Sequence, residues 1–226
     1  MDQKILVVNT GSDSHKYAVY EDGSELARVH LEKSNGGFLA NVVTNGLKVQ
    51  KEMTQEEYAQ PFMYLLTLLK IESVIADISE ISMIGCRIVA TGKYFWTHHK
   101  INDEYLTNLQ KSKEQAPLHI SPILAEIEEI KKALPNTKLI GVSDSEFHKD
   151  MPSTARLYSL PKEDRDTLEI NRYGYHGISV ASIIHKLENG KYPYSLEGST
   201  FDKIIVCHLG SGSSVTAVKS GKSIDT

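Results

Sequence analysis

KILVVNTGSDSHKYAV, residues 4–19, has a near copy in the same chain, KIIVCHLGSGSSVTAV at residues 203–218. Each stretch has the pattern of an apolar strand, a polar Gly/Ser loop and a second strand. At a constant offset without a gap, eight of the sixteen positions are identical. Two buried hairpins with Ser/Gly turns could resemble each other by chance, but the shared Gly-Ser-x-Ser register lies outside the apolar strands. The repeat therefore favours a duplicated domain with two facing phosphate loops.

Composition narrows the class of protein. A chain of 226 residues with 40% hydrophobic and 24% charged residues is ordinary for a globular protein of one large or two modest domains. The net charge of -4 gives no general attraction to nucleic acid or to an anionic membrane. The two cysteines, Cys86 and Cys207, lie in apolar strand-like contexts, which predicts buried thiols in a reducing compartment. We expect a soluble cytoplasmic protein, because neither a signal peptide nor an apolar run of about 18 residues is present.

The order of elements predicts a mixed sheet with flanking helices. Strands are expected at 4–9, 16–20, 25–32, 81–89 and 138–143. Helices are expected at 55–70, with Pro61 as a kink, at 102–114 and at 122–134. Residues 34–55 give no clear pattern beyond turn signals. This order favours a sheet that begins as a meander and continues through crossover helices.

The repeat also predicts the domain organisation. We expect a first domain at residues 1–146 and the beginning of a second at 147–226, with a helix at 177–188. The first copy needs more than a hundred residues after its loop to finish a domain, whereas the second copy has only a few. The second domain is therefore expected to be incomplete.

Several familiar motifs are absent or fail. Gly221-Lys222-Ser223 is not a Walker A loop, because Thr216 stands where the earlier glycine is required and no helix follows. There is no Gly-x-Ser-x-Gly nucleophile elbow and no Cys/His set with zinc spacing. The pair His98-His99 is expected to be a solvated loop. A serine hydrolase and a zinc site are thereby disfavoured.

Three polar residues in apolar surroundings are candidates for chemistry. Arg87 lies inside a buried strand, so it needs an anionic partner: either an internal salt bridge or a bound carboxylate or phosphoryl group. Asp144 follows the strand 138–143, where it could be a turn or cap residue or could hold a ligand or metal ion. His176 precedes the predicted helix at 177 and could be structural or functional. Gly/Ser loops can hold phosphate oxygens with backbone N–H groups.

Six segments in order resemble the acetate kinase family, a carboxylate-phosphorylating branch of the superfamily that includes sugar kinases, heat-shock ATPases and actin. The family's motifs are N-x-G-S-S-S-x-K, H-R-V-V-H-G-G, A-P-L-H, D-T-A-F-H-Q-T-M-P, R-Y-G-F-H-G and C-H-L-G-N-G. They resemble, in this order, residues 9–16, 87–89, 116–119, 144–152, 172–177 and 207–212. In the second motif Cys86 and Ala90-Thr91 replace the two histidines and the first glycine. Each motif is weak alone, and the six together are specific.

The resemblance implies a ribonuclease-H-like α/β domain with a mixed five-stranded sheet, followed by the truncated start of a duplicate. It implies transfer of the ATP γ-phosphoryl group to acetate or another short carboxylate, with ADP and an acyl phosphate as products and Mg²⁺ as the metal. It gives catalytic roles to Arg87, Asp144 and His176, and a metal-side role to Asn9. The acyl pocket would be lined by Arg87, Val89, Leu118 and Tyr175. The phosphate and nucleotide side would be formed by Ser12, Ser14, Lys16, His208, Gly210 and Gly212.

The chain also departs from the family's motifs. Asp13 adds negative charge to the first loop, Ser211 replaces an asparagine in the second, and Tyr175 replaces a phenylalanine. The family's second catalytic arginine, adenosine loops and late metal-binding glutamate have no match in the chain. Since a transition-state arginine is worth about 10³-fold or more in rate, we expect poor turnover by this chain alone.

Two other interpretations stay open. The chain could be a non-catalytic or split half that keeps the fold and at most weak phosphate or nucleotide binding. It could also be another superfamily member such as a sugar kinase, although the Arg-Ile-Val and Tyr-His-Gly segments argue against that. The expected partners are a small carboxylate and either a second copy in a homodimer or a missing C-terminal half, with no nucleic acid and no membrane.

Overall fold

The computed structural model describes residues 3–11, 13–34, 36–190, 201–210 and 212–226. They form two compact units. Unit 1 comprises the described residues of 1–88 and 99–142, and unit 2 comprises those of 89–98 and 143–226.

Eight strands form the sheet of the first part of the chain. They are β1 (Lys4–Thr10), β2 (Ser14–Glu21), β3 (Ser24–Ser34), β4 (Gly37–Thr44), β5 (Leu47–Met53), β6 (Ile81–Ile88), β7 (His99–Lys100) and β8 (Lys138–Ser143). The spatial order is β5-β4-β3-β2-β1-β6-β8-β7. Consecutive strands from β1 to β5 are antiparallel, whereas β6 joins β1 in parallel.

Two long helices bury their apolar faces in unit 1. The helices of this unit are α1 (Gln55–Ala59), α2 (Pro61–Ile71), α3 (Asp103–Ser112) and α4 (Pro117–Ala133). Side chains of α2 and α4 are buried together with alternate residues of β1, which include Leu6 and Val8. This alternation leaves Ile5 and Val7 partly exposed on the other face of β1. The core therefore lies on one face of the sheet.

The predicted fold class is confirmed, with corrections in detail. The sheet has eight strands rather than five. Residues 37–53 form the hairpin β4–β5, which the sequence left undefined, and His99–Lys100 form the short edge strand β7. The turn of the β4–β5 hairpin, Asn45-Gly46, has positive φ at both residues, as a type I′ turn requires.

The helix expected at 55–70 is two helices. Thr54 caps α1, and Pro61 begins α2 at a position where its missing N–H costs nothing.

Unit 2 contains three further helices and a small antiparallel sheet. The helices are α5 (Ser153–Arg156), α6 (Lys162–Thr167) and α7 (Gly177–Glu188), and the strands are β9 (Lys203–Leu209), β10 (Ser213–Lys219) and β11 (Lys222–Asp225) in the order β11-β10-β9. Val180 and Ile184 of α7 pack with Val206 and Val218 of the sheet. The bounds predicted for α7 and β8 agree with the structure.

The two copies of the repeat are both hairpins, but they differ in register by one residue. In the first copy, Thr10 pairs with His15. The residue equivalent to Thr10 in the second copy is Leu209, and it pairs with Ser213, which is equivalent to Ser14 rather than to His15. A slip of one residue moves every side chain of a strand to the opposite face. The copies are thus not equivalent residue by residue, and Cys207, which was expected to be buried, is exposed while Cys86 is buried.

Another correction concerns His98 and His99. The expectation of a solvated loop is right for His98 and wrong for His99. His98 is exposed in the loop before β7, where its Nδ1 accepts a hydrogen bond from the backbone N–H of Ser143 at 3.1 Å. His99 is half-buried in β7 opposite Gly141. No helix within the described residues is long and apolar enough to cross a membrane.

The burial pattern of α2 gives a direct stability test. Phe62 is fully buried whereas its neighbour Met63 is exposed. Phe62→Ala should lower the free energy of unfolding by about 3–5 kcal/mol, because a large cavity is left in the core. Met63→Ala serves as the matched control and should change it by about 0.5 kcal/mol or less. Urea denaturation of both variants measures the difference, and equal losses would contradict this packing of α2.

Candidate active site

Arg87 and Asn9 meet at the ends of two neighbouring strands. Because β1 and β6 are parallel, with Val8 opposite Cys86, the residues that follow each of these lie side by side near the carboxyl ends of both strands. Arg87 Nη1 donates to Asn9 Oδ1 at 3.1 Å. Both side chains are half-buried. Carboxyl ends of parallel strands are where α/β sheets commonly hold ligands.

The first Gly/Ser loop closes tightly beside this pair. The Gly11 N–H donates to the Ser14 carbonyl at 2.8 Å, and a Cβ on Gly11 would lie 3.3 Å from that oxygen. Ser14 is half-buried, and Lys16 is exposed and lies opposite Asn9 in the β1–β2 ladder. Asn9, Lys16 and Arg87 can therefore present polar groups at one end of unit 1. Ser12 lies outside the described residues, as does Ser211.

In unit 2, Asp144 anchors the start of α7. Its side chain is buried, and the carboxylate Oδ2 accepts a hydrogen bond from the backbone N–H of His176 at 2.9 Å. The Asp144 carbonyl accepts from the N–H of Gly177, also at 2.9 Å. These donors are among the amide groups that a helix leaves unpaired at its N-terminus. Asp144 is thus fixed in position by the same segment that carries His176.

His176 stacks on His208. The ring centroids are 4.2 Å apart and the planes differ by 13°. Each ring is held by a serine: Nδ1 of His176 lies 3.0 Å from Ser214 Oγ, and Nδ1 of His208 lies 3.1 Å from Ser179 Oγ. The structure therefore brings together two histidines that sequence reasoning named separately, and adds two serines that it did not name.

Gly212 makes room for this stack. His176 has a left-handed backbone, with φ of 62°. A Cβ on Gly212 would lie 3.2 Å from His176 Nε2. Gly212 thus keeps space next to that nitrogen, while Gly210 is exposed in the same hairpin loop. The pairing of Gly212 with His176 agrees with a shared role for the second loop and the Tyr-His-Gly segment.

His148 packs between the segment that carries Gly174 and the strand β11, a contact that no local sequence pattern indicates. It is buried, with Nδ1 2.8 Å from Ser223 Oγ of β11. Gly174, at φ of +72°, lies so close that a Cβ there would be 2.6 Å from the His148 ring. Burial lowers the pKa of His148, so the ring is neutral over a wider pH range than usual.

The three apolar candidates for the acyl pocket are found in different places. Leu118 lies in the first turn of α4 and is 73% exposed. Val89 follows β6 and is half-buried in unit 2, as is Tyr175. Burial raises the pKa of Tyr175 to about 12, which keeps its hydroxyl protonated at neutral pH.

Metal ligands are sparse. Within the part of the chain that the structure describes, no group of three His, Cys, Asp or Glu side chains is arranged to hold a metal ion. A groove of about 920 Å³ lies between α3 and α4 and contains none of the predicted site residues. The oxygen donors of Asn9 and Asp144 are of the type that Mg²⁺ prefers, and such ions commonly take only one or two protein ligands and are completed by water and phosphate.

The chain as a whole matches a known family. The sequence profile described as the acetokinase family matches residues 4–226. The chain belongs to the acetokinase family. The acetate kinase of Brachyspira hyodysenteriae is 36% identical over 229 residues, which cover 98% of this chain and 56% of that protein.

Two solved structures have the same fold as this chain. The crystal structure of Porphyromonas gingivalis acetate kinase matches with a TM-score of 0.83 and 31% identity, over 99% of this chain and 56% of that one. A propionate kinase from Francisella tularensis matches with a TM-score of 0.83 and 28% identity, with the same coverage. This acetokinase family chain therefore spans about half the length of the relatives it matches.

Proposed function

We propose that this chain is part of a carboxylate kinase that transfers the γ-phosphoryl group of ATP to acetate or another short carboxylate, giving an acyl phosphate and ADP. The observation that carries the proposal is the pairing of the family's polar residues: Asn9 with Arg87 in unit 1, and Asp144 with His176 in unit 2. Phosphoryl transfer depends mainly on positioning and on neutralising charge, which residues of these types can do.

Arg87 is proposed to bind the substrate carboxylate. A guanidinium matches a carboxylate with two parallel hydrogen bonds, and it also stabilises charge that develops during transfer. A short carboxylic acid is ionised at neutral pH, so the attacking oxygen needs no general base. Asn9, which holds Arg87 through its amide oxygen, fixes the direction of the guanidinium.

His176 is proposed to hydrogen-bond the transferring phosphoryl group through Nε2. Nδ1 is engaged by Ser214, and Gly212 leaves space beside Nε2. The stack on His208 fixes the plane of the ring. Held in this way, the ring can donate to a phosphoryl oxygen without first reorganising, which is the feature that makes such donors effective.

Asn9 is the residue proposed to be a ligand of Mg²⁺, and Asp144 is proposed to help place the ion or to orient the attacking carboxylate. The ion would neutralise phosphate charge when it is bound with the nucleotide. The buried Asp144 is oriented by the His176 N–H, and Asn9 by Arg87. The residues proposed to contact the nucleotide phosphates are Ser12, Ser14, Lys16, His208, Gly210 and Gly212.

One observation favours the alternative of a split or incomplete kinase. On one face of the β9–β10 ladder, Ile205, Leu209 and Val215 are each more than half exposed. Apolar sheet faces are normally covered by another layer. We therefore expect a further polypeptide segment to be needed for full activity.

A hydroxamate assay for acyl phosphate tests the proposal. The chain should be supplied with ATP, Mg²⁺ and each of several C2–C4 carboxylates, first alone and then with any polypeptide encoded just downstream. We expect little product from the chain alone and more from the mixture, since relatives are longer. Reactions without carboxylate are the control. Absence of product in both mixtures would refute the kinase proposal for this protein.

A further inference from the structure

The middle of α4 contains a buried carboxylate that none of the proposed roles uses. Glu126 is 2% exposed. Its Oε1 accepts a hydrogen bond from the Tyr17 hydroxyl at 2.6 Å, and its Oε2 lies 2.8 Å from His15 Nδ1. A carboxylate is costly to bury, and it persists only where such partners compensate it. Glu126 is thus bonded through both oxygens to one short segment of β2.

That segment follows the first Gly/Ser loop directly. His15 and Tyr17 are two residues apart in β2, so both point to the same face of the sheet. His15 pairs with Thr10 across the mouth of the loop, and Tyr17 pairs with Val8. Lys16 points to the opposite face, where Asn9 lies. Glu126 therefore contacts β2 on the face of the sheet opposite to Lys16 and Asn9, which is the face away from the proposed ligand.

Tyr58 holds the loop from α1. Its hydroxyl donates to the Asp13 carbonyl at 2.9 Å. Its ring meets the edge of His15, with centroids 5.8 Å apart, and stacks on Phe38, with centroids 4.4 Å apart. The loop is therefore tied at Asp13 and at His15 by two different helices.

We propose that Glu126 and Tyr58 are positioning residues of the first phosphate loop. They hold residues 13–15 in one conformation before the ligand binds, so that the loop amides, Ser14 and Lys16 already face the position of a phosphate group. The inference rests on the proposed function, because it takes this loop to be the phosphate side of the site. Neither residue touches the ligand, and their loss should weaken binding of nucleotide more than it weakens the fold.

A purely structural role would give a different result. It would lower the urea midpoint and leave the MgADP affinity of the folded protein unchanged. Glu126→Met leaves the buried Tyr17 hydroxyl and His15 without their acceptor, so it should lower the urea midpoint while it releases His15. Affinity is therefore measured in the absence of urea, on the folded protein. Tyr58→Phe removes one hydroxyl and keeps both ring contacts, so it is the milder variant and folds even if Glu126→Met does not.

The experiment measures loop order and MgADP affinity in the full chain. In Tyr58→Phe, loss of the hydrogen bond to Asp13 should speed amide exchange at residues 13–15 and raise the MgADP dissociation constant about 3–10-fold. Glu126→Met should do the same and abolish the Nδ1–H signature of His15 in ¹⁵N NMR. Tyr64→Phe, a half-buried tyrosine of α2, is the matched control and should change neither quantity.

Unchanged exchange at residues 13–15 in both variants would overturn the proposal, as would faster exchange with unchanged MgADP affinity. The nucleotide-binding role of the loop and the positioning role of Glu126 and Tyr58 are tested by different measurements. If the wild-type chain binds no MgADP, the nucleotide role of the loop fails, and the exchange rates still decide whether Glu126 and Tyr58 position it.

Discussion

Replacing Arg87 with alanine should reduce acyl phosphate formation by about 10³-fold, because the loss of an arginine that stabilises transferring charge has effects of that order. The structure gives a reason for a large effect. Arg87 is held by Asn9 at the carboxyl end of β6, so its guanidinium is directed before substrate binds. Truncation removes the group proposed to bind the carboxylate and also the partner of Asn9.

The measurement is the hydroxamate assay in whichever preparation forms product, the chain alone or the completed mixture. Arg28→Ala is the matched control, since Arg28 is exposed and pairs with Glu25 three residues away. Exposed pairs of this kind contribute about 0.2–1 kcal/mol, and the variant should retain its activity. Activity of Arg87→Ala equal to that of Arg28→Ala would remove Arg87 from the site.

The sequence predicts those parts of the fold in which a periodic pattern coincides with burial. The strand β8 and the helix α7 have both, and their bounds agree with the structure. The strand β5 has an alternating pattern but lies at the edge of the sheet, where Leu47 and Val49 are exposed. Its alternation therefore does not correspond to a buried face, and β5 cannot be identified as a strand from the sequence pattern.

The residues of the candidate site also differ in whether a local sequence pattern reveals them. Arg87 and Asp144 stand out because a charged residue inside or just after an apolar strand needs a partner. Glu126 cannot be recognised by the same argument, because a glutamate in an amphipathic helix is usually solvated. Its partners lie on β2, more than a hundred residues earlier in the chain. The stack of His176 on His208 likewise depends on a positive φ and on pairing across distant segments, which no local pattern encodes.

Gly177→Ala should lower the free energy of unfolding by about 2–4 kcal/mol, the sum of overpacking and a lost hydrogen bond. A Cβ at this position would lie 2.4 Å from the backbone carbonyl of Asp144 and 3.2 Å from Phe147 Cβ. The carbonyl cannot move independently, because it already accepts from the Gly177 N–H. The start of α7 must therefore shift away from Asp144.

The same shift should displace His176 from its position. Its backbone N–H would leave the Asp144 carboxylate, and the ring would leave the stack on His208, which ¹H NMR of the histidine rings can follow. Gly37→Ala is the matched control, because a Cβ on Gly37 meets no atom within 4 Å. It should change the urea midpoint little and leave the histidine signals in place. A Gly177→Ala protein as stable as Gly37→Ala, with unshifted His176 and His208 resonances, would show that the close approach of α7 to Asp144 does not set the position of His176.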